Sequence, residues 1–355
     1  MTTINFGATV SLEEAATLVR VNTNKNYFLE GEPGIGKSAI MQYFERYFGD
    51  AYNYVYFDMA SKDLGDIAMP SIDRDKRVTE YFLNGVFQHY NGKPMVILFD
   101  EFTKAPQPVQ NMVHPTLEAR NARLCDFLLP EGSIKLLTGN IGSDGIGDSI
   151  KAHTLNRVTR LRVRKPTATE WLQWAASNDI EPVVRAWVDR FPHCMDSYLD
   201  GNNDNPYIYN PRKVQTSYVS PRSLQLVSHS IKNREHFTAN ALLADMIGTI
   251  GEAAARDMQA FVEYQDQLPS WDEIIQDPKG ARLPTSPGAS AVMVYGAVSK
   301  AERGTLTQLM EYIERMNTEW QAVFAANLTS DPNKKQIAFT SPKLRDWALQ
   351  NIDII

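Results

Sequence analysis

The sequence is poor in the features that would set it apart from an ordinary globular protein. It has two cysteines in 355 residues, Cys125 and Cys194, far apart and without the spacing of zinc ligands. Neither a disulfide framework nor a cysteine-rich metal site is therefore expected, and both read as free thiols. No apolar run approaches the roughly eighteen residues that crossing a bilayer requires, and the first residues lack a basic segment followed by an apolar one. Those two absences point to the cytoplasm. Charge of one sign is in small excess only: 36 basic against 42 acidic residues leave a net −6. That gives no overall electrostatic footprint for nucleic acid, although it says nothing of a local basic patch. Internal repeats and low-complexity segments are missing as well. What is left, 43% hydrophobic and 22% charged residues, is chain enough for two or more domains and a sizeable core.

Against that plain background one stretch stands out. Residues 27–44, YFLEGEPGIGKSAIMQYF, read as a short apolar strand, a glycine-rich loop and an amphipathic helix. The loop, Gly31-Glu32-Pro33-Gly34-Ile35-Gly36-Lys37-Ser38, fits the pattern G-x-x-x-x-G-K-[ST]. Glycines at those positions let consecutive backbone N–H groups turn inward on an anion, and the helix that follows adds its positive N-terminal end. Such a nest holds a polyphosphate. Lys37 would reach the β- and γ-phosphates, and the Ser38 hydroxyl would be a ligand of Mg²⁺, which prefers oxygen donors. A chance match in a chain of this length is uncommon, and the strand and helix on either side are the context the motif needs.

The surrounding pattern supplies a sheet for that loop to sit on. Ser11-Leu12-Glu13-Glu14 is a capping box, so a helix is expected from there toward Val21. Residues 51–57 and 95–99 read as strands, the second an apolar run without alternation, as in a parallel sheet covered on both faces. Residues 134–138 and 158–164 give two more. Residues 63–73 read as a loop, and residues 81–87 lead into a helix. Strands alternating with helical stretches over residues 1–165 imply an α/β fold with a doubly wound parallel sheet, whose active groups belong at the carboxyl ends of the strands. From Thr167, itself the start of a capping box with Glu170, the chain turns α-helical. Residues 200–212 read as a loop, and Ser220-Pro221 starts a helix. Helix continues over residues 240–262 with a break near Gly248 or Gly251. Residues 268–288 read as a proline-rich strap, Leu306, Leu309, Met310 and Ile313 mark one helix face, and Ser341-Pro342 caps a last short helix.

Polar residues at the strand ends carry the chemistry. Asp100 ends a buried strand, placed to hold a Mg²⁺ shell through its waters, and Glu101 beside it can orient and deprotonate a water. Asn140, at the end of the next strand, can hydrogen-bond a γ-phosphate without adding negative charge, although Thr138-Gly139-Asn140 taken alone reads as a turn. Phosphoryl transfer also calls for a cation, commonly an arginine from a neighbouring subunit. Arg157 and Arg160, where the last strand begins, are the candidates, with Arg157 preferred. Arg222 lies in the first turn of a helix, where the helix dipole disfavours a cation, and a ligand-facing role explains that placement.

Together these segments resemble the AAA+ ATPases, and within them the MoxR-like branch. The resemblance rests on GEPGIGKS at 31–38, ILFDEFTKAPQPVQN at 97–111, LLTGN at 136–140, LNRVTR at 155–160 and SPRSLQL at 220–226, and covers about residues 10–265. It implies a P-loop NTPase αβα core at 1–165 and an α-helical lid at 166–265, and leaves a helical C-terminal extension at 266–355 outside the resemblance. It makes residues 31–38 the Walker A loop, Asp100 and Glu101 the Walker B pair, Asn140 sensor 1, Arg157 the arginine finger and Arg222 sensor 2. Residues 118–129 look like the β-hairpin insertion of this branch. Two positions depart from it: Gly85-Val86-Phe87 stands in place of Gly-Pro-Leu, and Val158 in place of the Phe after the finger.

The resemblance further implies a ring, usually a hexamer, with nucleotide between neighbouring subunits, and a chaperone that remodels a protein complex, often with a von Willebrand factor A domain protein. A DNA-acting motor such as a helicase, loader or restriction translocase is the alternative, with no helix-turn-helix or zinc pattern to support it. A nucleotide-holding scaffold fits poorly with an intact Lys37, Asp100, Glu101 and Asn140. A small-molecule kinase fits worst, because an Asp-Glu pair followed by a sensing Asn suits attack by water.

Overall fold

The computed structural model describes residues 8–141, 150–201 and 204–351, and the chain divides into two compact units, Met1–Lys165 and Pro166–Ile355. In the first unit, helix α1 (Leu12–Val21) starts at the Ser11/Glu14 capping box, with Ser11 Oγ accepting from the Glu14 amide and the Glu14 carboxylate accepting from the Ser11 amide. Strand β1 (Tyr27–Gly31) leads through the glycine-rich loop and one 3₁₀ turn, Lys37–Ala39, into α2 (Ile40–Phe48). Then follow β2 (Asn53–Asp58), β3 (Ala68–Asp73), β4 (Val78–Leu83), β5 (Met95–Asp100) and α3 (Gln107–Val113). Two short strands, β6 (Arg123–Leu124) and β7 (Phe127–Leu128), precede β8 (Ile134–Asn140), α4 (Ala152–Leu155) and β9 (Thr159–Arg162).

Five strands form one sheet in the order β2-β5-β8-β1-β9, and every pairing in it is parallel. This is the P-loop NTPase core, with helices against both faces. On one face α1 and α2 bury Ala15, Val19, Ile40 and Phe44 against Leu29, Leu98 and Leu136; on the other Val109 and Val113 of α3 pack with Phe28, Ile97, Phe99 and Leu137. Both faces of β5 and β8 are thus dry, which explains their unbroken apolar runs.

Two stretches differ from the sequence reading. From Ala68 the loop expected at 63–73 is instead the first strand of an antiparallel hairpin, β3 with β4, and residues 81–87, expected to lead into a helix, hold the end of β4 and a 3₁₀ turn at Gly85–Phe87, followed by another at His89–Asn91. Only Ala68 and Leu83 of its strands are buried, and Met69, Ile72 and Phe82 stand in solvent. A hairpin wet on both faces has no alternation of apolar and polar residues to announce it. The segment at 118–129 does contain a hairpin, β6 with β7.

The second unit is helical: α5 (Ala168–Ala176), α6 (Pro182–Arg190), α7 (Pro221–Lys232), α8 (Ala239–Ile250), α9 (Glu252–Asp266), α10 (Trp271–Gln276), α11 (Pro287–Lys300), α12 (Leu306–Ile313), α13 (Thr318–Ser330), α14 (Lys335–Thr340) and α15 (Pro342–Gln350). Thr167, Ser220 and Ser341 cap α5, α7 and α15 with their hydroxyls. Of the loop expected at 200–212, Asn202 and Asn203 lie outside the described residues. Gly251 separates α8 from α9 at φ 86° and ψ 157°, while Gly248 stays inside α8. The stretch read as a strap contains α10, and α11 has ten buried residues from Ala289 to Val298. That helix serves two apolar clusters, giving Ala291, Val292 and Tyr295 to the one built on Trp171, Trp187 and Phe261, and Met293, Val294, Ala297 and Val298 to the one built on Leu309, Tyr312 and Phe324. A helix apolar on all sides shows no 3.6-residue stripe. Among the described residues no helix is long and apolar enough to cross a membrane.

Candidate nucleotide site

The carboxyl ends of β1, β8 and β5 lie side by side, and the polar residues singled out above sit there. Gly31 pairs with Asn140 in register, and Phe99, just before Asp100, pairs with Leu137. The loop begins at Gly31 because nothing larger fits: a Cβ there would stand 2.6 Å from both Ile35 Cδ1 and the Val163 carbonyl oxygen. Gly34 and Gly36 have φ of 78° and 92°, the left-handed backbone that glycine adopts at little cost. Ile35 is buried in the cluster under α1 and α2 and anchors the loop. Pro33 and Glu32 complete its bend, Glu32 being buried.

Lys37 is 8% exposed, and its ammonium donates to the carbonyls of Gly31 (3.0 Å) and Glu32 (2.9 Å) and to Asn140 Oδ1 (2.9 Å). A buried ammonium needs such acceptors. Asn140 thereby ties β8 to the loop. Ser38 follows in the same 3₁₀ turn.

Asp100 and Glu101 are organised by a residue the motif reading passes over. Thr138, 1% exposed and two positions before Asn140 on the same face of β8, donates its hydroxyl to Asp100 Oδ1 and accepts the Glu101 backbone N–H at 2.9 Å. The other carboxylate oxygen, Asp100 Oδ2, accepts from the Tyr56 hydroxyl at 2.7 Å. Glu101 has φ 51° and ψ 38°, left-handed for a residue with a side chain, a conformation worth about 1–3 kcal/mol of strain. Its carboxylate pairs with Lys104 at 2.9 Å. Neither Thr138 nor Tyr56 carries a motif signal; strand alternation, which puts Thr138 with Asn140, is what could have found the first.

The arginines are placed elsewhere. β1 and β9 run parallel with Tyr27 opposite Thr159, so Arg157, before Thr159, lies at the end of the sheet remote from Gly31 and Asn140. Its Nε and a terminal nitrogen both bond Glu118 Oε1 at 2.9 Å, and Nη1 donates to the His153 carbonyl. Beside it His114 stacks edge-on with His153, and burial first, then the Arg157 charge, pulls the His114 pKa down. Arg160 grips Glu30 with two hydrogen bonds, 3.0 and 2.7 Å, and that carboxylate is buried on β1. Arg160 is thus the partner that lets Glu30 sit inside the sheet. Arg222 occupies the second position of α7 in the helical unit, exposed.

The oxygen donors, the Ser38 hydroxyl and the Asp100 carboxylate, are of the kind Mg²⁺ selects, and the glycine loop with its buried lysine is a fitting cradle for phosphate. Comparison with known families agrees: residues 26–128 match the model described as AAA domain (dynein-related subfamily). That stretch of the first unit is similar to an AAA domain. Nucleotide binding goes with that domain, and the matched stretch runs from β1 through β5 to β7, holding the loop and the acidic pair. Among solved structures, one of a candidate ATPase from Cytophaga hutchinsonii is 14% identical, over 72% of this chain and 89% of that one, with a TM-score of 0.34. At that score it carries no argument. No curated protein matches the chain.

Proposed function

We propose that this AAA domain hydrolyses ATP in a Mg²⁺-dependent reaction and that the chain works as a MoxR-like chaperone in the cytoplasm: a ring, hexameric by that resemblance, that remodels a protein complex. The observation that carries the hydrolytic part is the pair of hydrogen-bonded sets that β8 brings to adjoining strand ends, Lys37 with Asn140 and Thr138 with Asp100 and Glu101. In this reading the amides of residues 31–38 and the Lys37 ammonium bind the phosphates, and Asn140 keeps Lys37 and the terminal phosphate in register. Ser38 and Asp100 would hold Mg²⁺, which neutralises phosphate charge. Glu101 takes the proton of the attacking water, a role typically worth about 10²- to 10⁴-fold in rate.

Arg157 is the finger that completes the site of a neighbouring subunit. Its place at the far end of its own sheet supports that choice: its partner Glu118 is 44% exposed, whereas Arg160 is held by a Glu30 carboxylate buried on β1. Arg222 is retained as the sensing arginine of the helical unit. A von Willebrand factor A domain protein is the partner class that the branch suggests.

The test is the Glu101→Gln variant of the full chain in ATP and Mg²⁺. Hydrolysis should fall at least about 10²-fold while nucleotide stays bound, and affinity capture of that form should bring down a ring with a protein partner. Unchanged hydrolysis removes Glu101 from the mechanism, and a protein that remains monomeric with nucleotide bound removes the ring.

A further inference from the structure

Asp100 and Glu101 are adjacent in sequence but have different work in the reading above, on which this inference rests, so something must hold the two carboxyl groups apart in direction. On an ordinary strand neighbouring side chains point to opposite faces. Here the strand ends at Asp100 and the chain turns at Glu101 into a left-handed conformation, then into a 3₁₀ turn, Phe102–Lys104. The left-handed conformation is rare for a glutamate because its Cβ crowds the backbone. It persists only where the surroundings over-determine it.

The Glu101 carbonyl accepts the Lys104 N–H at 2.9 Å, and one buried hydroxyl meets both acids. Thr138 Oγ1 accepts the Glu101 N–H at 2.9 Å and donates its own proton to Asp100 Oδ1, so a single buried oxygen fixes the backbone of one acid and the side chain of the other. Nothing about Thr138 is adjustable. It is 1% exposed, it is β-branched and therefore stiff about χ1, and the next residue, Gly139, lies so close to Phe28 that a Cβ there would stand 2.5 Å from Phe28 Cζ. The other contacts of the pair are looser. Tyr56, which reaches Asp100 Oδ2, is 52% exposed, and Lys104, which reaches Glu101 Oε1, lies on the surface. Asn140, two residues on along the same face of β8, holds Lys37.

We propose that Thr138 is the positioning residue of the hydrolytic site: its hydroxyl sets the Asp100 rotamer and the turned backbone of Glu101, so that β8 holds the phosphate-binding lysine and the acidic pair in one fixed arrangement. Thr138 touches neither substrate nor reacting atoms in this role. It acts through Asp100 and Glu101. Substituting valine keeps the shape and removes the hydroxyl, leaving the Glu101 N–H and an Asp100 oxygen without their partner; serine restores it.

The experiment compares Thr138→Val and Thr138→Ser in the full chain by two measurements. The first is steady-state ATPase together with equilibrium binding of a fluorescent ATP analogue. Thr138→Val should lower kcat at least tenfold with KM and analogue affinity within about threefold, and Thr138→Ser should recover most of kcat; a purely structural role would change binding and rate together or neither. The second is hydrogen exchange of the Glu101 amide, which needs no activity: exchange should speed up at least tenfold in Thr138→Val and return to the parent rate in Thr138→Ser. Unchanged kcat in a folded Thr138→Val protein, or unchanged exchange at Glu101, overturns the proposal. If the parent protein hydrolyses nothing, the ATPase reading fails, and the amide exchange alone decides whether Thr138 sets this turn.

Discussion

The two units of the chain solve opposite problems. In Met1–Lys165 the dry parts of β5 and β8 end in polar residues, and the interior is arranged so that a lysine, an asparagine, a threonine and two acids meet where the strands stop. In Pro166–Ile355 the organising piece is α11, a helix with almost no polar surface, wrapped on all sides. The first unit uses burial to hold chemistry in place; the buried core of the second holds that unit together. Substitutions at the strand ends of the first should therefore alter function most, and substitutions in the core of the second should alter stability most.

The strongest challenge to that division is Leu309→Ala on α12. Leu309 is fully buried, and emptying it should cost about 2–5 kcal/mol. Chemical denaturation should show the loss, while ATP affinity at 25 °C stays at the parent value; a drop in affinity would mean the division is false. A smaller effect is expected at Gly251, whose φ of 86° and close approach of the Ser217 carbonyl, 2.8 Å from a built Cβ, exclude a side chain. Gly251→Ala should lose about 1–3 kcal/mol in the same measurement.

The smallest effect sharpens the comparison from within the first unit. Lys135 lies at the start of β8, 8% exposed, with a 3.3 Å hydrogen bond to the Ser133 carbonyl. Burial pushes its pKa down. Lys37 at the loop has three good acceptors. For a base with a depressed folded pKa the unfolded chain binds the proton more tightly, so the cost is full below the folded pKa and is relieved as pH rises toward 10.5. Lys135→Met should raise stability by about 1 kcal/mol at pH 7, with the gain shrinking as pH rises toward 10.5; a loss of stability would show that Lys135 is better satisfied than its one bond suggests.

Much of the first unit was legible because its signals are local. A glycine-lysine-serine loop, an apolar run ending in two acids, and a strand ending in asparagine each carry their own physical reason, and the capping box at Ser11 marks a helix start, as the one at Thr167 does in the second unit. Thr138 and Tyr56 were not legible, since a threonine and a tyrosine inside strands look like ordinary β-formers until the register brings them to Asp100. Glu30 and Arg160 were hidden for the same reason: their pairing is a property of adjacent strands, not of either segment. The hairpin from Ala68 to Leu83 failed because both of its faces meet water, and α11 because none of its faces does.

That last helix bears on how far the protein can be shortened. Trimming the chain after α9, at the point where the familiar motifs run out, would take away Ala291, Val292 and Tyr295 and leave Trp187 and Phe261 facing water. The final ninety residues are in this sense the missing wall of the helical unit, and a fragment without them would tend to clump rather than work.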